Sequence, residues 1–163
     1  EVSFTELFSS EKHDWETPQE VFGWLNEEFD FGLDAAASDH NAKCKRYLTQ
    51  QDNSLAIDWS KITTSVWLNP PYGRGVDVWL EKAYKESLKG CVVVCLVFAR
   101  PDTNWWHTWA QKAAEIRFVK GRIRFSRNGK SGPATAPSCV LVFDEARRMP
   151  VYKHVEVTYG KAT

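Results

Sequence analysis

The order of apolar and polar positions divides the chain into helical and strand-like segments. Two stretches repeat apolar residues at the spacing of an amphipathic helix, 21–29 and 76–88. Four shorter runs have the composition of buried strands: 31–34, 65–68, 91–98 and 138–143. A strand, a helix and a second strand in this order form the parallel crossover of an α/β sheet. The pattern therefore predicts an α/β fold with a mostly parallel sheet.

The second half of the chain predicts an antiparallel addition to that sheet. Residues 115–125 read as a strand that would pair antiparallel with 138–143, as a C-terminal hairpin. Between the two, residues 126–137 are rich in Gly, Ser, Pro and Ala and predict a flexible basic loop. A tryptophan-rich stretch, 105–113, predicts a helix whose rings are mostly core, and residues 151–159 predict an edge strand.

The amino-terminal region predicts a loose lead-in that is followed by a capped helix. Residues 1–14 show no periodicity and would form the lead-in. Thr17 is placed to cap the first helix, Pro18 suits its first helical position, and Glu20 would complete a capping box. A chain of 163 residues has the length of one ordinary domain, so we expect a single domain over residues 1–163.

Composition argues against several classes of protein. No apolar run approaches the length of about 18 residues that a membrane span needs, and the acidic start does not resemble a signal peptide. Cys44, Cys91, Cys95 and Cys139 lack the paired close spacing of a zinc site, and three of them lie in strand-like apolar runs. We therefore expect reduced core thiols in a cytoplasmic protein that holds no metal ion.

The net charge of zero conceals a strong polarity along the chain. Residues 1–39 carry eleven acidic side chains against the single base Lys12. Residues 116–143 contain no acid but hold six basic side chains. One region therefore repels phosphate and the other attracts it, which favours a protein that meets nucleic acid on one face. A solvated charged face is the alternative interpretation of the same pattern.

The tetrapeptide that follows the strand 65–68 has the most definite chemistry in the chain. Pro70 and Pro71 have no N–H and cannot donate to a strand ladder, but their carbonyl groups remain as acceptors. Asn69 adds a side-chain carbonyl, and Tyr72 adds a flat aromatic face. Two acceptors and a stacking ring suit a planar substrate with an exocyclic amino group. A turn that ends the strand, with a packed tyrosine, is the simpler alternative.

This tetrapeptide resembles motif IV of the S-adenosylmethionine-dependent amino-methyltransferases. The wider pattern is similar to the phage-type DNA N6-adenine methyltransferases (Dam family). The matching stretches run in family order: 17–18, 29–31, 33–37, 41–44, 59, 69–73, 105–107 and 121–122. The resemblance implies a Rossmann-like class I methyltransferase fold with a compressed amino-terminal half. It also implies transfer of a methyl group from S-adenosylmethionine to the exocyclic N6 of a flipped-out adenine, with catalysis by the tetrapeptide.

The resemblance also implies which residues contact the cofactor. Thr17 and Pro18 correspond to motif X, beside the methionine end of S-adenosylmethionine. Asp34 ends a strand before the small residues Ala35 and Ala36, where it would pair with the amino group of the methionine part. This loop lacks the Gly-x-Gly of motif I, which is a departure from the family pattern.

Two acidic residues are candidates for binding the nucleoside end of the cofactor. An acid from the polar stretch 39–60 would bind the ribose hydroxyls or the adenine amino group. Asp52 is the preferred residue and Asp58 is the second, and either could instead be a turn aspartate. Asn69 is also expected to border the cofactor.

Double-stranded DNA is the expected partner. The expected contacts are basic side chains, namely Arg74, Arg100, Arg122, Arg124, Arg127 and Lys130. The acidic amino-terminal part would stay away from the DNA, and Trp105 or Trp106 would suit the border of a base pocket. Family resemblance further suggests a phage or prophage protein that protects DNA from restriction in the bacterial cytoplasm.

Two other functions remain open from the sequence. The same tetrapeptide occurs in enzymes that methylate protein glutamine side chains or guanine in RNA, so a protein- or RNA-directed methyltransferase is one alternative. The missing motif I glycines leave a second one, a non-catalytic nucleic-acid binding protein on the same fold. The sequence gives no indication of the oligomeric state.

Overall fold

The computed structural model describes residues 16–71, 75–127, 129–147 and 151–158. The expected lead-in, 1–14, lies outside the described residues. Three α-helices are present in them: α1 (Gln19–Phe29), α2 (Val76–Ser87) and α3 (Asn104–Thr108). The strands are β1 (Leu33–Asp34), β2 (Ser65–Leu68), β3 (Val92–Phe98), β4 (Glu115–Val119), β5 (Arg124–Arg127), β6 (Lys130–Pro133), β7 (Ser138–Phe143) and β8 (Val151–Val155). Short 3-10 helices cover Gln50–Asp52, Ser54–Ala56, Trp59–Lys61 and Ala110–Lys112.

Six strands form one mixed sheet in the order β1-β2-β3-β7-β4-β8. β1, β2 and β3 are parallel to one another, and Val66 of β2 lies between Leu33 and Val93. β7 runs antiparallel to both of its neighbours, β3 and β4, while β8 is parallel to β4. The predicted α/β fold with a mostly parallel sheet is confirmed, and so is the antiparallel pairing of 115–119 with 138–143.

The two faces of the sheet bury different helices because successive strand side chains point to opposite sides. Val66 and Leu68 face one core, which also contains Trp79 of α2. Trp67 faces the other core, where its ring lies 5.5 Å from the ring of Phe22 in α1, edge to face. Each face is therefore covered by apolar side chains, which explains the near-continuous apolar strands in the sequence.

The segment 126–137 was predicted to be a flexible basic loop, and this is wrong for most of its length. β5 and β6 form an antiparallel two-stranded hairpin in which Arg124 lies opposite Pro133 and Arg127 lies opposite Lys130. Gly129 has a φ of 74°, a left-handed conformation that glycine adopts without strain and that suits a tight turn. The buried ring of Phe125 anchors the hairpin. We call residues 124–133 the basic hairpin below.

Two helix predictions also need correction. The residue that caps α1 is Pro18, and no side chain makes a capping hydrogen bond there. The Thr17 hydroxyl is instead buried and accepts a hydrogen bond from the side chain of Asn69. The predicted helix around 105–113 consists of α3 and a separate 3-10 turn, with Thr103 accepting a hydrogen bond from the backbone N–H of Trp106. Trp106 is buried, as predicted for a core ring.

The four cysteines are free thiols. Cys91, Cys95 and Cys139 are buried, which confirms the prediction of core thiols for these three, while Cys44 is half-buried. Burial raises the pKa of Cys91 and of Cys139 to about 12, so these thiols stay protonated at neutral pH. Among the described helices, none has the length and apolar character needed to cross a membrane.

Two glycines give opposite predictions for stability. Gly23 lies inside α1 with nothing within 4 Å of an added Cβ, so Gly23→Ala should stabilise the fold by about 0.5–1 kcal/mol. A Cβ on Gly32 would lie 2.2 Å from Thr63 Oγ1 and 2.9 Å from Thr63 Cβ, so Gly32→Ala should destabilise by about 1–3 kcal/mol. Chemical denaturation of both variants measures the change in the free energy of unfolding. A loss of stability in Gly23→Ala, or none in Gly32→Ala, would contradict the described packing.

Candidate active site

The parallel strands β1, β2 and β3 bring their carboxyl ends to one edge of the sheet. Asp34 is the last residue of β1, Asn69 follows β2, and Arg100 comes shortly after β3. In open α/β sheets, ligands bind in the crevice outside this edge. The structure thus gathers three of the residues that the sequence selected, from distant parts of the chain.

Asn69 carries an unsatisfied acceptor at this edge. Its side-chain Nδ2 donates a hydrogen bond of 3.1 Å to Thr17 Oγ1. Its Oδ1 is buried and has no hydrogen-bond partner in the described part of the chain. A buried unpaired acceptor costs about 1–3 kcal/mol, so this oxygen is suited to accept a hydrogen bond from a bound ligand. Pro70 and Pro71, which follow, are also buried, and Tyr72 lies outside the described residues.

Thr17 connects this edge to the basic hairpin. The backbone N–H of Glu16 donates to Ser126 O at 2.7 Å, and the N–H of Ser126 donates back to Glu16 O at 3.1 Å. This antiparallel bridge fixes the chain directly before Thr17, which is only 3% exposed. The hairpin is therefore tied to the residue that contacts Asn69. Glu16, one of the acidic residues of the amino-terminal region, is thus paired with a strand of the basic hairpin.

Asp34 is a buried carboxylate with no basic side chain in hydrogen-bond contact among the described residues. Its two oxygens accept from the backbone N–H groups of Ala36, at 3.3 Å, and of Lys43, at 3.0 Å. Burial raises its pKa from 3.8 to about 6, and these two N–H groups together with the charge of Lys43 lower it only in part. Asp34 is therefore ionised at neutral pH in a place where a cation would stabilise it.

The small-residue loop after β1 is held close to the sheet. Ala35 N–H donates to Trp67 O at 3.0 Å, and Ala37 N–H donates to Leu48 O at 2.9 Å. Leu48 N–H in turn donates to Asp34 O, and Tyr47 forms a parallel bridge with Asp34. A short extended stretch therefore runs beside β1.

The structure separates the two acids proposed for the nucleoside end of the cofactor. Asp52 is exposed and follows the stretch beside β1, and its Oδ2 accepts from both the N–H and the hydroxyl of Thr49, in a capping box. Asp58 instead forms ion pairs with Lys61, at 3.3 Å, and Lys89, at 2.8 Å. Hydrogen bonds from these two lysines lower the pKa of Asp58. Lys89 follows the far end of α2, so Asp58 is not gathered with Asp34 and Asn69.

The basic residues expected to contact DNA lie at two places. Arg122, Arg124 and Lys130 are exposed on the basic hairpin or on the turn before it, and Arg127 of the hairpin is partly buried. Arg100 is exposed after β3, and its guanidinium lies 5.5 Å from the ring centre of Phe98. Arg74 lies outside the described residues.

Sequence reasoning missed two backbone contacts that shape the site. Lys43 holds Asp34 through its main-chain N–H, and Ser126 holds Glu16 through main-chain hydrogen bonds. Any residue except proline can supply such a donor, so residue types carry no signal for them. No cluster of His, Cys, Asp and Glu side chains that could hold a metal ion lies in the described ranges.

Comparison with known proteins places this arrangement in a family. The model of the family "DNA N-6-adenine-methyltransferase (Dam)" matches residues 5–159. A DNA N-6-adenine-methyltransferase of Haemophilus phage HP1 (strain HP1c1) is 33% identical over 142 residues, which are 83% of this chain and 80% of that protein.

Two further relatives match over shorter stretches. A DNA N-6-adenine-methyltransferase of Escherichia phage T1 is 36% identical over 110 residues, which are 67% of this chain but only 45% of the phage protein. The chain thus spans less than half the length of that relative. The putative methyltransferase YfdM of Escherichia coli (strain K12) is 41% identical over 63 residues, which are 36% of this chain and 69% of that protein.

The family match covers nearly the whole chain and includes both the end of β1 and the Asn-Pro-Pro-Tyr tetrapeptide after β2. The resemblance inferred from the sequence is therefore confirmed. The chain belongs to the DNA N-6-adenine-methyltransferase (Dam) family of enzymes.

Proposed function

We propose that this chain methylates the exocyclic N6 of an adenine flipped out of double-stranded DNA, with S-adenosylmethionine as methyl donor. The observation that carries the proposal is the buried Oδ1 of Asn69, which has no partner among the described residues. Family membership supports the reaction class and the DNA substrate. The strand order, with parallel β1, β2 and β3 and an antiparallel β7 inserted beside β4, supports a Rossmann-like class I methyltransferase fold.

The amino group of adenine carries two N–H bonds, and the tetrapeptide offers two acceptors. Asn69 Oδ1 would take one of them and the carbonyl of Pro70 the other, while Tyr72 would stack on the purine ring. Pro71 would keep the turn rigid, since its ring fixes φ. Hydrogen bonds accepted from the amino group draw its lone pair out of the ring, which makes the nitrogen a better nucleophile.

The target base must leave the helix before these contacts can form. The amino nitrogen of a paired adenine is stacked and hydrogen-bonded, so enzymes that modify it extrude the nucleotide into a pocket. Holding the nitrogen and the methyl donor in line then supplies much of the rate enhancement. This scheme requires no metal ion and no covalent bond to the protein.

The residues at the end of β1 fit the methionine part of the cofactor. Asp34 presents a buried carboxylate without a basic side-chain partner in the described ranges, which suits an ammonium group. Ala35 and Ala36 let a ligand approach the backbone closely. Thr17 and Pro18, beside Asn69, would complete the site. When bound, S-adenosylmethionine supplies a methyl group that its sulfonium already activates.

For the nucleoside end, we favour Asp52 over Asp58. The stretch that leads to Asp52 runs beside β1, whose carboxyl end forms the proposed site. Asp58 is paired with its neighbour Lys61 and with Lys89, which follows the end of α2. An exposed carboxylate near the sheet edge suits the hydroxyl groups of a ribose.

The basic hairpin is the proposed DNA-contacting surface, together with Arg74, Arg100 and Arg122. Arg124, Arg127 and Lys130 are spread over its two strands, which are tied to the site through Glu16. Cationic side chains there would bind phosphates on either side of the flipped base. The phage origin of two relatives supports a role in phage or prophage DNA protection.

The test of the function is transfer of labelled methyl from S-adenosylmethionine to unmethylated duplex DNA, with nucleoside analysis of the product. The expected product is N6-methyl-2′-deoxyadenosine. Label that enters only RNA or protein would support the alternative substrates instead. Cofactor binding without transfer to DNA of many sequences would contradict the proposed reaction, and failure to bind the cofactor would favour a non-catalytic scaffold.

Asn69→Ala should abolish methyl transfer while cofactor binding changes much less. The variant removes the acceptor for the substrate amino group but leaves Asp34 in place. A loss of about 100-fold or more in the single-turnover rate is expected from removing one well-placed polar group. Rapid-quench assays give the rate, and calorimetry gives the cofactor Kd. Equal losses in both measurements would contradict the assigned role.

Cofactor affinity should fall as the pH drops below about 6. Because the pKa of Asp34 is raised to about 6, the carboxylate that attracts the ammonium group is lost by protonation below that value. Calorimetry between pH 8 and 5 should show that the cofactor Kd rises as the pH falls, with a slope that approaches about tenfold per pH unit below pH 6. Asp34→Asn should bind weakly with little pH dependence. In the same assay Asp52→Asn should weaken binding, and Asp58→Asn should not.

Neutralising the basic hairpin should reduce the salt dependence of DNA binding. Each phosphate contact that Arg124→Gln or Lys130→Gln removes should lower the slope of log affinity against log salt by about 0.9. Lys85→Gln is the matched control, because Lys85 is exposed at the end of α2 and paired with Glu81. Fluorescence anisotropy with duplex DNA gives the slopes. If Lys85→Gln reduced the slope by the same amount, the basic hairpin would not be the DNA-contacting surface.

A further inference from the structure

On the basis of the proposed function, we infer that Thr17 is a positioning residue that orients the amide of Asn69 for catalysis. This role differs from contact with the cofactor, because Thr17 acts here through another side chain. Thr17 Oγ1 and Asn69 Nδ2 lie 3.1 Å apart, although the two residues are separated by 52 positions in the chain. Thr17 is 3% exposed, so water does not compete effectively for this hydrogen bond.

The orientation of an amide side chain decides what it presents to a ligand. With Nδ2 bonded to Thr17, Asn69 turns its Oδ1 to the remaining side, where that atom is buried and unpartnered among the described residues. A substrate amino group can donate to this oxygen. In the reversed orientation Nδ2 would face the amino group, and two donors cannot form a hydrogen bond. The hydrogen bond that Nδ2 donates to Thr17 Oγ1 therefore holds the amide in the reactive orientation.

Thr17 itself is held from both sides. Before it, the two backbone hydrogen bonds between Glu16 and Ser126 attach the chain to the basic hairpin. After it, the carbonyl of Pro18 accepts from the N–H groups of Val21 and Phe22 in the first turn of α1. The hydroxyl is thus preorganised, and it makes no helix-capping bond that would compete for its lone pairs.

The test compares Thr17→Val with Thr17→Ser in the full chain. Valine has the same shape as threonine but lacks the acceptor, whereas serine keeps the acceptor. We expect Thr17→Val to lower the single-turnover methyl-transfer rate at saturating cofactor and DNA by about tenfold or more, and Thr17→Ser to stay near wild type. Thr63→Val is the control, because Thr63 bonds Ser65 at the opposite edge of the sheet. It should keep the wild-type rate.

A second background separates positioning from a merely structural effect. Asn69→Asp replaces the amide by a carboxylate with two equivalent acceptor oxygens, so the side chain no longer has a wrong orientation. Adding Thr17→Val to Asn69→Asp should therefore reduce the rate by less than Thr17→Val does alone. Such non-additivity is expected when one residue acts through the other.

The outcomes distinguish this inference from the proposed function. If wild type transfers no methyl to DNA, the proposed function fails and the inference falls with it. If wild type is active and Thr17→Val keeps the full saturating rate, the inference alone is overturned. A change in cofactor Kd without a change in that rate would assign Thr17 to cofactor contact only. If Thr17→Val lowered the rate by the same factor in wild type and in Asn69→Asp, the positioning role would also be overturned.

Discussion

The parallel pairing of β1, β2 and β3 is the constraint on which the site depends. Parallel strands end at the same edge, so this ladder brings Asp34 and Asn69 to one place. The carboxyl ends of β1 and β2 are 34 positions apart in the chain, which is too far for a local contact. The ladder is stabilised by apolar packing on both faces, with α2 against one and α1 against the other. Polar groups at the edge can then remain incompletely paired, because the strands beneath them are fixed without their help.

The same constraint explains how α1 reaches the site. Trp67 faces the core under α1, and its edge-to-face contact with Phe22 fixes the first turns of that helix over β2. The chain just before α1 therefore passes the end of β2, where Thr17 meets Asn69. The bridge between Glu16 and Ser126 then continues this path to the basic hairpin. The segment that leads into α1 thus connects the proposed catalytic motif with the proposed DNA surface.

The sequence predicted the parts of the structure that depend on periodicity and residue type. The strands and helices around Asn69 follow from apolar patterning, and Asp34 follows from an acid placed at a strand end. The hairpin was missed because Gly, Ser and Pro dominate residues 129–137, and cross-strand pairing rather than β-propensity forms it. The inward turn of Thr17 was missed because a threonine before a helix usually caps it, and only tertiary packing offers Asn69 as an alternative partner.

The buried acids of the described residues differ in what surrounds their carboxylates, and their pKa values shift in opposite directions. Burial raises the pKa of Glu115, but hydrogen bonds from Arg117 and Lys153 outweigh it and hold that pKa at about 2. Its contribution to stability is therefore present above its ordinary pKa of 4.5 and is lost as the pH falls towards 2. Glu86 is likewise paired with Lys82 at 2.7 Å, and its pKa is lowered.

Asp34 differs from these two carboxylates in the sign of its shift. Its oxygens receive only backbone N–H groups, and burial raises its pKa to about 6. Its ionised form is thus disfavoured by folding, so stability from this group is present below pH 3.8 and is lost as the pH rises through about 6. A bound cation would reverse that penalty, because it supplies the charge that Arg117 and Lys153 supply to Glu115. The state of this carboxylate at the end of β1 therefore supports the proposed binding of a cationic ligand there.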